Sequence, residues 1–335
     1  RGSGNYVAGV HLENAAQVYY LVSTIAHAEI LSVDVTDALL APGVIDVVLH
    51  KDLDIGPYPA GNPIFDEAMV RPLLADQRVR YVGEPIAAVV AETIAQAMDA
   101  AELIEIDFRS RPAIIDPEKA LNTSTLLFDG TNEGNIVCRM QAEGLEADFS
   151  SCEVISEVRT VNNRLAPAPI ETRVAAAEWH ADGRLYCYNS GQGPHPVRSA
   201  IAKILNLQEE QVRVISRDVG GSFGAKARPF PEEVLLGWLA RRIGRPVKWV
   251  PPRSDDMVGL GHGRGQVQYC KIGGSRDGNI TAYQLHIIQE SGAYPAGGAG
   301  LPSNARAMLT GCYEIPSVGF KSVSVVTNTT PTGAY

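Results

Sequence analysis

The chain has 335 residues, 45% hydrophobic and 20% charged, which is material for about two domains with a sizeable core and excludes long disorder. A formal net charge of -9, spread over interspersed acidic and basic residues, leaves no basic block to displace counterions and excludes nucleic acid as the main partner. No apolar run reaches the ~20 residues of a membrane span, and five cysteines without a C-x-x-C pair exclude a disulfide framework or a zinc ribbon.

In chain order, Tyr6 to Leu12 and Gln17 to Ser23 alternate as a pair of strands. Thr36 caps a short helix through Leu40, stopped by Pro42-Gly43 before the β-branched run Val44 to Leu49. Pro85 to Ala91 is strand-like. Thr93 with Gln96 forms a capping box for a helix to about Glu102, and Ile104 to Phe108 resumes a strand. Such a β-α-β unit predicts a parallel strand pair. Pro112 and Pro117 mark 111–122 as a linker, which places a domain boundary near Ala120.

Beyond it, Glu153 to Asn162 is a strand. Val174 to Trp179 and Arg184 to Asn189 make a hairpin around Ala181-Asp182-Gly183. Pro194 to Leu205 is a helix with Val197, Ile201 and Ile204 on one stripe, and Gln211 to Ser216 is a strand. Pro231 to Arg242 is a helix ended by Gly244, before a short strand Val247 to Val250. Gln266 to Ile272 and Ile280 to Gln289 form a second hairpin around Arg276-Asp277-Gly278-Asn279. The fold class is therefore mixed α/β (α+β), in two domains, 1–120 and 121–335.

Two glycine-rich turns carry candidate chemistry. In Gly220-Gly221-Ser222-Phe223-Gly224, missing Cβ atoms let backbone N–H groups approach an anion or an oxo ligand. A P-loop is excluded, because Ala225 and Ala227 flank Lys226 where Gly and Ser or Thr are required. In Gly191-Gln192-Gly193-Pro194, a glutamine at a strand-to-helix junction can donate its amide to a ligand. Taken alone, each turn is far more often a piece of ordinary punctuation. Gly259 to Gly265 fails the G-x-G-x-x-G pattern and reads as a flexible loop. The seven histidines are scattered, so no side-chain metal site is expected. Asp255 and Asp256 read as a solvated or salt-bridged loop, and Glu171 with Arg173 as a structural ion pair on a strand edge. The N-terminus shows no secretory pattern, so reduced thiols in the cytoplasm are expected. The missing initiator Met and the stop at Tyr335 after a strand-like run suggest a processed or partial chain.

Five stretches, in register, resemble the xanthine oxidase family of molybdenum hydroxylases. Arg80-Tyr81-Val82-Gly83-Glu84-Pro85-Ile86-Ala87 is similar to its V-G-x-P-V-A segment, and Ala168 to Arg173 to M-E-P-R, with Thr172 where proline is common. Ser190 to His195 resembles the T-Q-x-P loop and Asp218 to Lys226 the V-G-G-G-F-G-x-K loop, while Gly311 to Val318 resembles G-x-Y-x-I-P-N-V. The resemblance spans essentially the whole chain. It implies an α/β-hammerhead domain followed by the first molybdopterin-binding domain.

By that resemblance the chain is the N-terminal part of a molybdenum-dependent oxidoreductase subunit, oxidising an aldehyde or an N-heterocycle with water-derived oxygen. The implied cofactor is molybdopterin cytosine dinucleotide with molybdenum, held by pterin sulfurs rather than side chains. FAD and 2Fe-2S clusters would sit on partner subunits of a heteromeric complex, and a C-terminal molybdopterin-binding half would complete the site. Gln192 would hydrogen-bond a molybdenum oxygen ligand, and Gly221, Ser222, Phe223 and Gly224 would line the other side, Phe223 limiting access. Ser222 stands where glycine is usual, and its Cβ is expected to narrow the approach. Ala227 stands where purine-oxidising members carry a glutamate, which argues against a purine substrate. The general base is expected outside this chain. The rival reading is a non-catalytic assembly subunit of the same fold, and a third is a plain small-molecule binding protein.

Overall fold

The computed structural model describes residues 2–58, 61–141 and 146–335. The chain forms two compact units that do not follow chain order. One comprises Arg1–Pro59, Val70–Pro112 and Ala166–Gly261; the other comprises Ala60–Met69, Ala113–Leu165 and His262–Tyr335.

The first unit is built on a seven-stranded sheet. Its strands run in the order Val212–Ile215, Leu185–Asn189, Ala175–Trp179, Val247–Trp249, Ala16–Val22, Pro85–Ala91 and Val44–Leu49. Early and late parts of the chain thus meet in one sheet, where Ala16–Val22 pairs parallel with Val247–Trp249. Pro85–Ala91 is buried at every residue because both of its faces are covered. Ala88 and Val90 join the core beneath the helices Pro194–Ile204 and Pro231–Ile243, whereas Ala87, Val89 and Ala91 pack with Ala97, Ala100 and Ala101 of the helix Ile94–Ala101. A small second sheet joins Arg78–Val79, Ala28–Asp34 and Glu105–Ser110.

The other unit holds a five-stranded sheet in the order Ile136–Gln141, Ser317–Val325, Ile280–Glu290, Gln266–Gly274 and Val154–Asn162. Val267, Ile288, Val323 and Val325 form a core there with Ala120, which lies at the end of the short helix Pro117–Ala120 that Asp116 caps. All five cysteines are free thiols. No helix among the described residues is long and apolar enough to cross a membrane.

The hairpins, the helix cap at Thr93 and the Gly244 stop follow the sequence reading. Three expectations are corrected. Tyr6 to Leu12 is not a strand: Val7–Gly9 is a single 3-10 turn, and the Ala8 and Val10 carbonyls accept from Lys248 Nζ instead of from a ladder. The β-α-β segment gives no parallel pair, because Pro85–Ala91 pairs antiparallel in the large sheet and Glu105–Ser110 antiparallel with Ala28–Asp34 in the small one. The cause is burial. The first strand is apolar at every position, whereas the second alternates charged residues that need solvent on one face. Finally, 259–265 is a packed connection: Arg253–Gly259 is a helix, Leu260 is buried and Gly263 bridges Leu165.

Candidate cofactor site

The strand Leu185–Asn189 ends in Ser190-Gly191-Gln192-Gly193, and the helix Pro194–Ile204 begins at once. Pro194 occupies the first helical position, where its missing N–H costs nothing. Gly191 has no room for a side chain, since a Cβ there would lie 2.7 Å from Asn189 Nδ2. Gln192 itself is exposed, and its own N–H donates to the Lys226 carbonyl at 3.1 Å.

That hydrogen bond brings the second glycine turn alongside. Gly221 and Gly224 have φ of +102° and +88°, and Phe223 adopts +54°, a left-handed value that a side chain accepts only under constraint. Ser222 does not share it, so a residue of ordinary backbone sits between two left-handed ones. Among the described residues, the N–H groups of Gly221, Ser222 and Phe223 meet no protein acceptor. The Phe223 ring is 60% exposed.

Gln192 Oε1 accepts from Gly224 N–H at 2.6 Å and from the Ser222 hydroxyl at 2.5 Å. A backbone N–H can only donate, so the amide atom facing it must be the oxygen. The Gln192 NH₂ consequently points away from the turn, with no protein acceptor among the described residues. Gln192, Ser222, Phe223 and Gly224 thus come together at one place. The expectation that the Ser222 Cβ narrows the approach is corrected: Ser222 is buried, and its hydroxyl turns inward to Gln192 and to Lys226 N–H, 3.2 Å away.

Sequence reasoning missed what holds the two turns together. Lys226 is buried, and its ammonium donates to the carbonyls of Glu171 (2.7 Å) and Thr172 (3.0 Å) and to Ser190 Oγ (2.8 Å). Burial lowers its pKa, and the nearby Glu171 carboxylate opposes that shift. Glu171 also accepts from Gly220 N–H at 2.7 Å. Arg173 is not its ion-pair partner. The guanidinium is fully buried between Glu232 (2.9 Å) and Asp256 (3.0 Å), over the rings of Phe230 and Trp249. The pairing of Lys226 with the motif glycines was visible in the sequence; its reach to residues over 30 positions away was not.

The arrangement offers three free backbone donors, one oriented amide donor and glycines that allow close approach. Such a site suits an uncharged oxygen or an anionic group of a large cofactor. Among the described residues no group of three or more His, Cys, Asp or Glu could hold a metal ion, so a metal here would bring its ligands with it. The residues fit that kind of group.

Comparison with known proteins decides which kind. Residues 128–335 match the model of the molybdopterin cofactor-binding domain, and residues 1–112 match that of the aldehyde oxidase and xanthine dehydrogenase a/b hammerhead domain. The chain belongs to the xanthine oxidase family of molybdenum hydroxylases. It is 33% identical over 347 residues to the nicotine 6-hydroxylase large subunit of Paenarthrobacter nicotinovorans, covering 100% of this chain and 42% of that protein. The carbon monoxide dehydrogenase large chain of Afipia carboxidovorans is 29% identical, covering 98% of this chain and 42% of its own length. In structure it matches quinoline 2-oxidoreductase from Pseudomonas putida 86 with a TM-score of 0.94 at 32% identity, over 100% of this chain and 44% of that one. The chain thus spans less than half the length of these relatives.

Proposed function

We propose that this chain is the N-terminal part of the catalytic subunit of a molybdenum hydroxylase and forms one side of its molybdopterin site. The observation that carries the reading is the oriented amide of Gln192, gripped by Ser222 and Gly224 and left with its NH₂ outward. Residues 1–120 act as the hammerhead part and 121–335 as the first cofactor-binding part, although both feed strands into the same seven-stranded sheet.

When bound, the cofactor supplies the two-electron redox chemistry, with molybdopterin cytosine dinucleotide as its form. Gln192 donates to an acceptor of that group, and the N–H groups of Gly221, Ser222 and Phe223 line the cradle beside it. The exposed Phe223 ring would bound the approach to the cofactor. Lys226 keeps both turns in place from behind. The carboxylates beside the turns serve the fold: Glu171 Oε2 accepts from Gly220 N–H, and Asp256 and Glu232 pair with Arg173. As the family resemblance implies, the general base belongs to the remaining half of the site, on a C-terminal molybdopterin-binding part. FAD and 2Fe-2S subunits take the electrons, and the complex works in the cytoplasm.

For substrate, the names of the nicotine and quinoline relatives support an N-heterocycle over an aldehyde. A purine is disfavoured because Ala227 offers only a methyl group where a hydrogen-bonding side chain would be needed. The experiment is metal analysis and kinetics on the native complex. About one molybdenum per catalytic unit is expected, and Gln192→Ala should lower kcat by roughly 10–100-fold. Absence of molybdenum, together with unchanged behaviour of Gln192→Ala, would favour a non-catalytic assembly subunit.

A further inference from the structure

We propose that Ser222 is a positioning residue, whose hydroxyl sets the orientation of the Gln192 amide from inside the protein. The proposal rests on the reading of Gln192 as a cofactor-binding residue and adds a second residue that acts only through it.

The geometry fixes the direction of each hydrogen. Ser222 Oγ lies 3.2 Å from the Lys226 N–H, which can only donate, so Oγ accepts there. Its single hydrogen is then available for Gln192 Oε1 at 2.5 Å. That oxygen has two lone pairs, and the second is taken by Gly224 N–H at 2.6 Å. The backbone donor sets the sense of the amide, and a second donor converging on the same oxygen fixes its plane. With one donor alone, the amide could pivot about the remaining bond, because Gln192 is exposed and nothing else among the described residues holds its terminus. An inverted amide would set its NH₂ against the Gly224 N–H, which can only donate, so Gly224 fixes the sense of the amide. The Ser222 hydroxyl, anchored by Lys226 N–H, adds the second donor that fixes its plane. Each link also polarises the next in this partly buried setting.

Glycine at this position would keep the turn but lose the inner donor. Ser222 is buried between two residues of positive φ without itself adopting one, so its side chain costs the backbone nothing there. The hydroxyl thus serves as an added constraint on Gln192 and leaves the approach from outside open.

The test uses the native complex with Ser222→Gly, Ser222→Thr and Ser222→Val, alongside Gln192→Ala. Threonine and valine share a shape, and only the first keeps the hydroxyl, so their comparison isolates the hydrogen bond even if the glycine variant assembles poorly. Molybdenum content, kcat, KM and the Mo(V) electron paramagnetic resonance of partly reduced enzyme are measured. Ser222→Thr should match wild type. Ser222→Val and Ser222→Gly should keep their molybdenum, lose about 10-fold in kcat with little change in KM, and show shifted or broadened Mo(V) lines. If valine and glycine variants retain wild-type kcat and spectrum while Gln192→Ala alters both, the positioning role is wrong and the cofactor reading stands. If Gln192→Ala also leaves the spectrum unchanged, or wild type carries no molybdenum, the cofactor reading fails and takes this proposal with it.

Discussion

Arg173 shows how far a single residue's meaning lies outside its neighbourhood. By sequence it alternates with Glu171 on a strand edge, yet it is fully buried and answers carboxylates 59 and 83 positions away. No local pattern encodes such partners. The place of Gln192 was legible for the opposite reason: adjoining glycines and proline set the strand-to-helix turn that carries it, while a cofactor role was implied only by the family resemblance. Arg173 also fixes its surroundings, since a Cβ on Gly259 would lie 2.4 Å from its Nη2. Removing one member of a buried ion group leaves the others uncompensated, which costs about 3–5 kcal/mol. Arg173→Ala should therefore strongly lower the urea midpoint. The double variant Arg173→Met with Glu232→Gln should recover part of that loss. A single variant of wild-type stability would show that the cluster is not under electrostatic load.

At the scale of elements, rules that act within a few residues succeeded. The cap at Thr93, the two hairpins and the left-handed stop at Gly244 depend on local backbone preferences. The strand-helix-strand pattern after Pro85 failed because it cannot say which sheet the second strand enters. The helix Pro231–Ile243 adds a testable pH effect. Its first turn buries Glu233, whose carboxylate accepts from Phe230 N–H at 3.2 Å. Burial raises the Glu233 pKa to about 8, against the opposing pull of that N–H and of Arg173. Because the folded pKa lies above the unfolded one, the fold binds this proton more tightly than the unfolded chain does. The contribution is complete below the unfolded value near 4.5 and is lost as pH rises toward 8. Glu233→Gln keeps the acceptor and removes the titration. Its Tm relative to wild type should rise between pH 5 and pH 8 by about 2–4 °C for each ~1 kcal/mol of penalty removed. A difference that is flat with pH would mean that Glu233 is ionised in the fold at no cost.

For the molecule as a whole, the order of strands was the least legible feature. The large sheet draws on Ala16–Val22, Pro85–Ala91 and Ala175–Trp179 alike, and only long-range burial brings them together. The five-stranded sheet of the other unit ends in Val154–Asn162, exposed at all nine residues. Val154, Ile155, Val158 and Val161 are each about half exposed, so both faces of this edge carry apolar side chains. A long edge strand with β-branched residues and a free row of backbone groups is a template for pairing with another chain. A lysine at its centre should oppose that pairing, because association would bury the charge or bring it against its own copy. The chain produced by itself should form dimers or larger species in light scattering at concentrations on the order of 100 μM. Val158→Lys should shift it toward the monomer without lowering Tm by more than about 0.5 kcal/mol equivalent, since Val158 lies outside any packed core. If wild type is monomeric across that range, or if Val158→Lys associates as readily, this strand is not the surface through which copies meet.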